Sequence, residues 1–334
     1  MSEQGQSTAV AVPPRTMRTA VLEAPRRVRT EQVAVPEPGP GEVLVRLEGC
    51  GICGSNREPW EGRDWFDYPF EPGAPGHEGW GRVAAVGEGV TSISPGERVA
   101  LMSSHAFSEY DVAPVDQVVA LPHELDDQPF PGEPLACAYN IFEAAAIRPG
   151  ETVAIIGIGF QGAVLTALAA RRGARVLALS RRPFALEMAR HYGADETLQM
   201  DDHWRLLDAV KDLTGGANCD CVIEATGVQW PLDLAAQICR VEGRLVIAGY
   251  HQDGARQVNM QLWNWHALRI VNAHFRDPKR VIEGMKQAAG AVASGAFDPA
   301  PLYTHRVSLD DLGRGLALLE ERPEGFLKGL LIHD

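Results

Sequence analysis

Two textures of apolar and polar positions divide the chain. From Arg18 to about Pro122 the apolar residues come in short alternating runs, "EVLVRLE", "GRVAAVG" and "ERVALMS", cut by Pro/Gly turns such as "PEPGPGE" and "SPGE". Period-two alternation broken every few residues by turn chemistry predicts a small, strongly curved β domain. From about Cys137 the text changes to continuous apolar runs alternating with helical periodicity: "TVAIIG", "AVLTALAARRG", "RVLALS", "FALEMARHYG", then "CVIEATG" and "RLVIAGY". Strands that lack polar alternation are those buried on both faces, so this half predicts a doubly wound parallel sheet covered by helices. After about Phe275 the pattern predicts a helix, a turn, another helix and a closing strand, "GLLIHD". The expectation is an α/β protein of two blocks, preceded by a disordered extension over residues 1–16.

Composition narrows the partners. A chain of 334 residues is more than one hydrophobic core usually organises, which agrees with two domains. Acidic residues outnumber basic ones, 44 against 31, for a formal net charge of −13. Such a surface repels nucleic acid and anionic membrane and leaves a small molecule as the expected partner. No apolar run approaches the length of a bilayer span, and the N-terminus carries no basic-then-apolar signal segment, so a cytoplasmic protein is expected. Six cysteines in a chain of this length are no disulfide framework; Cys219, Cys221 and Cys239 lie in or near apolar segments and read as small buried hydrophobes.

The candidate chemistry sits at strand ends. "GIGFQG" places Gly157, Gly159 and Gly162 at GxGxxG spacing after a strand and at the start of a helix. In that context the glycines allow a tight turn, close approach of a pyrophosphate and close helix-to-strand contact. Phe160 and Gln161 of the same turn, and Ala225 and Gly249 at two later strand ends, join the expected cofactor contacts. An NAD site usually places an acid about 20 residues further on, to hold the ribose 2′-hydroxyl. This chain has "LALSRRPF" there, with Ser180, Arg181 and Arg182 where the acid would be. A hydroxyl and guanidinium groups bind a 2′-phosphate, so NADP(H) is the preferred cofactor and NAD(H) the second choice.

"GCGICGSNREPW" raises a separate question, because Cys50 and Cys53 could be half of a zinc knuckle, a redox pair, or one important cysteine with a bystander. No second close pair exists before Cys137, which argues against a knuckle. His77 and Glu78 in "PGHEGWGRVAAVGEGV", and Glu133 and Cys137 in "GEPLACAYN", add the ligand types of a catalytic zinc that keeps one position open.

Together these stretches resemble the medium-chain, zinc-dependent alcohol dehydrogenase family over nearly the whole chain from Met17. Gly76-His77-Glu78-x-x-Gly81, followed by five residues and Gly87, is similar to the family's zinc signature, and "CGSN", "SPGERVAL" and "HAFSEYDVAP" match neighbouring elements. "EPLACA" looks like the polyol and sugar dehydrogenase branch, and "SRRP" with "HYGADE" resembles NADP-using secondary alcohol dehydrogenases. The resemblance implies a discontinuous GroES-like catalytic domain over 17–137 and 275–334, joined to a Rossmann dinucleotide-binding domain over 138–274. It implies Cys53, His77 and Glu78 as metal ligands, with Glu78 able to exchange with water, and Cys50 as the bystander. Glu133 is the favoured further ligand, as a direct ligand or holding the zinc-bound water, and Cys137 its alternative. Ser55 would bind the substrate oxygen and pass its proton outward.

Three departures from the family pattern matter. The four cysteines of a structural zinc lobe are absent where "LMSSHAFSEY" follows the "GERV" strand, so one catalytic zinc and no structural zinc are expected. Asn56 stands where the family has an Asp that orients the zinc histidine, and an Asn can still accept a hydrogen bond from an imidazole. Glu58 occupies the place of an outer relay histidine, which makes it a candidate in the proton route beside the cofactor ribose.

The implied reaction is hydride transfer between the cofactor and a secondary alcohol or ketone, with zinc polarising the oxygen. Trp60, Trp65, Phe66, Trp263 and Trp265 are either packing residues or pocket walls; Glu58, Arg63, Asn264 and His266 tilt the choice toward a polyol, sugar or cyclitol. Two rivals share the fold: a zinc-free quinone or enone reductase, and a non-catalytic nucleotide-binding redox sensor. A homodimer or homotetramer is the expected assembly, with "HALRIVNAHF" as the candidate edge.

Overall fold

The structure, a computed structural model, describes residues 12–333. The elements run β1 (Thr16–Ala24), β2 (Arg27–Ala34), β3 (Glu42–Ile52), α1 (Arg57–Glu61), β4 (Gly79–Val86), β5 (Arg98–Leu101), β6 (Tyr110–Pro114), β7 (Val118–Ala120) and α2 (Gly132–Ala145). Next come β8 (Thr152–Ile156), α3 (Phe160–Arg171), β9 (Arg175–Ser180), α4 (Pro183–His191), β10 (Glu196–Gln199), α5 (His203–Leu213), β11 (Cys219–Glu224), α6 (Gln229–Ile238) and β12 (Cys239–Ile247). The chain closes with α7 (Met260–Trp265), β13 (Arg269–Asn272), α8 (Pro278–Ala293), β14 (His305–Val307), α9 (Leu312–Glu321) and β15 (Gly329–Ile332). Most of the expected N-terminal extension, residues 1–11, lies outside the described residues, and Thr16 already belongs to β1.

Packing divides the chain into two compact units. The first takes residues 1–133, 306–317 and 330–334; the second takes 134–305 and 318–329. This division differs from the expected 17–137 plus 275–334 chiefly at α8. That helix packs within the second unit because Gly284 lets it approach α2: a Cβ there would come within 2.9 Å of the Ala136 carbonyl oxygen. Asn140 of α2 also donates to the Arg280 carbonyl at 3.0 Å.

In the first unit, β1 and β2 pair antiparallel, and a sheet of order β14-β15-β3-β4-β5-β7 carries β6 on β3. The central pair β3/β4 slips register twice, between Leu44 and Val45 and between Leu47 and Gly49. Slips of this kind bend and twist a ladder. At the second slip only a glycine fits, because a Cβ on Gly49 would fall 2.4 Å from the Trp80 ring. The result brings the end of β3 beside the start of β4, with Cys50 opposite Gly79 and the Gly51 amide donating to the Glu78 carbonyl at 3.0 Å.

In the second unit six parallel strands run in the order β10-β9-β8-β11-β12-β13. Val153–Ile156 and Val176–Leu179 are wholly buried, as strands covered on both faces must be. Successive crossovers leave β8 toward β9 and β10, then turn back through β11, so the strand order reverses between β8 and β11. In open α/β sheets ligands bind at that reversal, outside the carboxyl ends of the strands. The short β10, "ETLQ", is only partly buried and has no apolar run, so its sequence gave no strand signal. Burial pushes the Cys219, Cys221 and Cys239 thiols up to about 12, as expected of inert apolar filling. Among the described residues no helix is long and apolar enough to cross a membrane.

Candidate active site

The first cluster grows out of the β3/β4 register. Cys53 follows the end of β3 and His77 precedes β4, so the ladder that pairs Gly51 with Glu78 brings both side chains to one end of the sheet. Ligand atoms of Cys53, His77 and Glu78 all lie within 4.8 Å of one another, and no other such set occurs among the described residues. Glu78 is fully buried and its carboxylate occupies the space above Gly51, where a Cβ would fall 1.8 Å from Oε2. Cys50 is also buried, but its thiol donates to the Gly51 carbonyl and it is not in the set.

His77 Nδ1 lies 2.8 Å from the Pro75 carbonyl oxygen, which can only accept. A ring proton is therefore on Nδ1, which leaves Nε2 as the atom that would bind a metal. Burial works against a charge on this ring, but Cys53, then Glu133 and Glu78, outweigh it and raise the His77 pKa to about 10. Three acidic groups thus converge on one point that favours positive charge. Soft thiolate, imidazole and carboxylate together are a zinc-type donor set, so these residues fit a zinc ion. Glu133 and Cys137 stand one turn apart on α2, outside the set of three, and the Glu133 charge is felt at His77.

Asn56 does a different job from the expected one. Its Oδ1 accepts from the Cys53 backbone N–H at 3.0 Å and its Nδ2 donates to the Pro75 carbonyl at 3.1 Å. It therefore makes no bond to the imidazole. It ties the backbone of one putting-forward residue, Cys53, to the carbonyl that orients the other, His77. Ser55 lies in the same short turn, half-buried, between Gly54 and Asn56. Glu58 is buried and accepts from Arg63 Nε at 2.7 Å. Trp60 is core, 5% exposed, whereas Trp65 is 59% exposed and begins a run of ring contacts through Phe66 and Phe70 to Tyr68.

The second cluster lies wholly in the second unit, at the carboxyl ends of β8, β9, β11 and β12. Gly157 has φ of +99°, and a Cβ there would strike Thr226 at 2.4 Å; one on Gly162 would come 2.1 Å from the Gly157 carbonyl oxygen. Gly159, by contrast, has nothing within 4 Å of its Cβ position. Two glycines are thus required by packing, and the middle one faces open space at the start of α3, a cradle that fits a pyrophosphate. Gln161 donates to the Pro134 carbonyl at 2.8 Å. Phe160 stacks on Tyr303 at 6.1 Å, and the buried Lys328 sets its ammonium 5.2 Å from the Phe160 ring centre. Lys328 is a cation beside the glycine turn that the sequence reading missed; its one signal is a lone charge inside the apolar "FLKGLLI".

Past β9, Ser180 is buried and its Oγ faces the Arg182 amide at 3.4 Å. The two arginines part company. Arg182 turns its guanidinium to the Phe326 carbonyl, and burial lowers its pKa. Arg181 is exposed and makes no hydrogen bond or ion pair among the described residues. At the other strand ends, the Ala225 amide donates to Ile156 and the Gly249 amide to the Glu224 carbonyl. Asn264 is exposed on α7, and the half-buried His266 caps its C-terminal end.

The family model for the alcohol dehydrogenase GroES-like domain matches residues 39–123, and that for zinc-binding dehydrogenase matches residues 162–289. An alcohol dehydrogenase of Rhizobium meliloti is 30% identical over 271 residues, covering 70% of this chain and 77% of that protein. The chain belongs to the zinc-type medium-chain alcohol dehydrogenases. It is an oxidoreductase of the family's alcohol and polyol branch, built as a GroES-like unit and a Rossmann unit. The erythritol/L-threitol dehydrogenase of Mycolicibacterium smegmatis is 29% identical, covering 95% of this chain and 98% of its own. A structure described as a zinc-binding dehydrogenase from Sinorhizobium meliloti 1021 bound to NADP superposes with a TM-score of 0.81 at 27% identity, covering 95% of this chain and 99% of that one.

Proposed function

We propose that this chain is a dehydrogenase of secondary alcohols of the polyol, sugar or cyclitol class, using one zinc per chain and preferring NADP(H) to NAD(H). The observation that carries the reading is the convergence of Cys53, His77 and Glu78, with the imidazole committed through Nδ1 to Pro75. These three would hold the metal, and Glu133, rather than Cys137, would complete the set, because its charge already acts on His77. Bound there, zinc would supply Lewis acidity toward the alcohol or carbonyl oxygen, and a nicotinamide cofactor would supply hydride-transfer chemistry.

The chain's own residues do the rest. Ser55 sits two residues beyond Cys53 and has no hydrogen-bond partner among the described residues, so its hydroxyl is available to take the substrate proton and pass it to solvent. Glu58 is a poorer carrier than expected, because its carboxylate is held by Arg63, and a guanidinium can neither accept a proton nor lose one. The Glu58–Arg63 pair instead offers polar groups to a hydroxylated substrate, and Trp65 with Phe66 an apolar wall. In the second unit the glycine turn takes the pyrophosphate, Lys328 offsets its charge, and Ser180 with Arg181 takes the 2′-phosphate. The NADP-bound relative and the erythritol/L-threitol dehydrogenase support the choice of cofactor and substrate class. An outer edge of β13 that, among the described residues, pairs with β12 alone, beside exposed Met260, Trp265 and Ile270, supports a homodimer joined there.

The test is elemental analysis of the purified protein together with a panel of polyols, sugars and cyclitols offered with NADP and with NAD. One zinc per chain and NADP-dependent turnover of a vicinal diol are expected. A metal-free protein that reduces enones with NADPH would overturn the reading in favour of a zinc-free reductase.

A further inference from the structure

The carboxyl end of β11 carries a buried charge that hydride transfer does not call for. Glu224 is fully buried, and its carboxylate is met by hydrogen-bond donors. Oε1 accepts from the backbone N–H of Thr226 at 2.7 Å, from that of Gly227 at 2.9 Å, and from the Thr226 hydroxyl. Oε2 lies 3.0 Å from His251 Nε2. Burial alone would raise the Glu224 pKa, but the bonds from His251, Thr226 and Gly227 hold it below the usual carboxylate range.

Arg256 then fixes the imidazole. Its Nε lies 2.9 Å from His251 Nδ1, and a guanidinium nitrogen can only donate. Nδ1 must accept, so the ring proton sits on Nε2 and is given to Glu224. His251 is thereby a neutral link between a buried anion and a cation, usable in one tautomer only. The same Arg256 pairs with Asp253 and donates through Nη2 to the Gly227 carbonyl at 2.6 Å. Gly227 is held from both sides, its N–H by Glu224 and its carbonyl by Arg256.

What the link clamps is the turn against the cofactor glycines. A Cβ on Gly249 would fall 2.1 Å from the Gly227 nitrogen, and the Thr226 methyl fills the space over Gly157. We propose that His251, bridging Glu224 and Arg256, is a positioning residue for the nicotinamide cofactor: it locks the Ala225–Gly227 turn between the strand ends at Gly157 and Gly249. The proposal rests on the assignment of those strand ends to cofactor binding.

The experiment is fluorescence titration of zinc-loaded protein with NADPH, for wild type, His251→Ala, His251→Gln and Arg256→Met, with zinc content and melting temperature measured on each. Losing hydrogen bonds to a buried charge should weaken NADPH binding by at least about tenfold in His251→Ala. His251→Gln should bind within about threefold of wild type, because its amide offers one acceptor and one donor at nearly the spacing of the ring nitrogens. A residue that only stabilised the fold would lower the melting temperature in both His251 variants and show no such rescue. Should His251→Ala fail to fold, Arg256→Met removes the outer half of the link and must itself weaken NADPH binding. Long-range proton–nitrogen NMR of the imidazole should show the Nε2–H tautomer in wild type. Wild type that binds NADPH while both truncations bind equally well overturns the clamp alone. Wild type that binds neither NADPH nor NADH overturns the cofactor assignment and the clamp with it.

Discussion

The two clusters use opposite materials. In the first unit three acidic or basic side chains from two strand ends are drawn to one point, and each contributes an atom able to bind a metal. In the second unit the glycine turn contributes no side chain at its centre: Gly157 and Gly162 are there because nothing larger fits, and Gly159 because space must be left. The proposed metal centre is thus made by convergence of charge, and the proposed phosphate cradle by removal of bulk. It follows that substitutions should fail differently in the two places. Deleting an atom should destroy the first, and adding one should destroy the second.

The largest effect is expected from the first kind of change. Cys53→Ala removes one of three converging donors and leaves only His77 and the buried Glu78 of the set. Zinc content should fall from about one per chain to near zero, and turnover by at least ~10³-fold, the scale of losing one strong electrostatic group in a reacting site. NADPH affinity should be unchanged, since the cradle belongs to the other unit. Elemental analysis and a binding titration on the same preparation check both halves of this expectation.

Within the cradle, the comparison predicts a split between neighbouring glycines. Gly159→Val should fold normally, because its side chain enters open space from an ordinary extended backbone conformation with φ of −94°. It should nevertheless bind NADPH about 100-fold more weakly, because the branched side chain takes the place of the pyrophosphate. Gly162→Ala should do the reverse first. Its Cβ meets the Gly157 carbonyl oxygen at 2.1 Å, so the strain should cost about 1–3 kcal/mol of stability. Denaturant midpoints set beside NADPH titrations would separate the two, and equal stability loss in both variants would break the contrast.

The sequence made these clusters legible to different depths. GxGxxG spacing is a local property of six residues and could be read directly, as could the parallel strands "TVAII" and "RVLAL", whose uninterrupted apolar text reflects burial on both faces. Cys53 and His77 are 24 residues apart by number, and what joins them is the register of β3 on β4, with two slips that residue types do not announce. Their pairing was therefore reached through resemblance and not through spacing. Two details were beyond either route. Arg181 and Arg182 are identical in type and adjacent, yet one is spent on the Phe326 carbonyl, a partner 144 residues away. Lys328 comes from the far end of the chain to the glycine turn, and only its isolation in apolar text hinted at a role.

That asymmetry between the arginines gives a sharper prediction for cofactor choice. Arg181 has no partner to lose among the described residues, so Arg181→Ala should leave stability unchanged. If it binds the 2′-phosphate, the ratio of kcat/KM for NADP over NAD should fall about tenfold or more, the value of a charge-assisted hydrogen bond. Arg182→Ala should instead lower the melting temperature, since it removes a part-buried bond to Phe326, and change the ratio less. A ratio that follows Arg182 and not Arg181 would reverse the assignment.

The smallest effect expected is also the one that best separates chemistry from resemblance. Asn56→Asp restores the residue type usual in the family, and if the side chain oriented the imidazole, zinc should be held more tightly. The geometry argues otherwise. Asn56 donates through Nδ2 to the Pro75 carbonyl while accepting from the Cys53 amide, and an ionised Asp can do only the second. Its other oxygen would face the Pro75 carbonyl oxygen, an acceptor against an acceptor, beside the bond that fixes His77 Nδ1. The buried position, 2% exposed, leaves little water to relieve that repulsion. Zinc retention against a competing chelator should therefore fall, by about tenfold, the lower end of the range for groups that orient metal ligands. Asn56→Ala, which removes both bonds without adding a charge, should fall alongside it. An increase in zinc retention in Asn56→Asp would mean that the carboxylate reaches the imidazole after all, and that the first cluster is set by charge at Asn56 and not by the two backbone groups it now ties together.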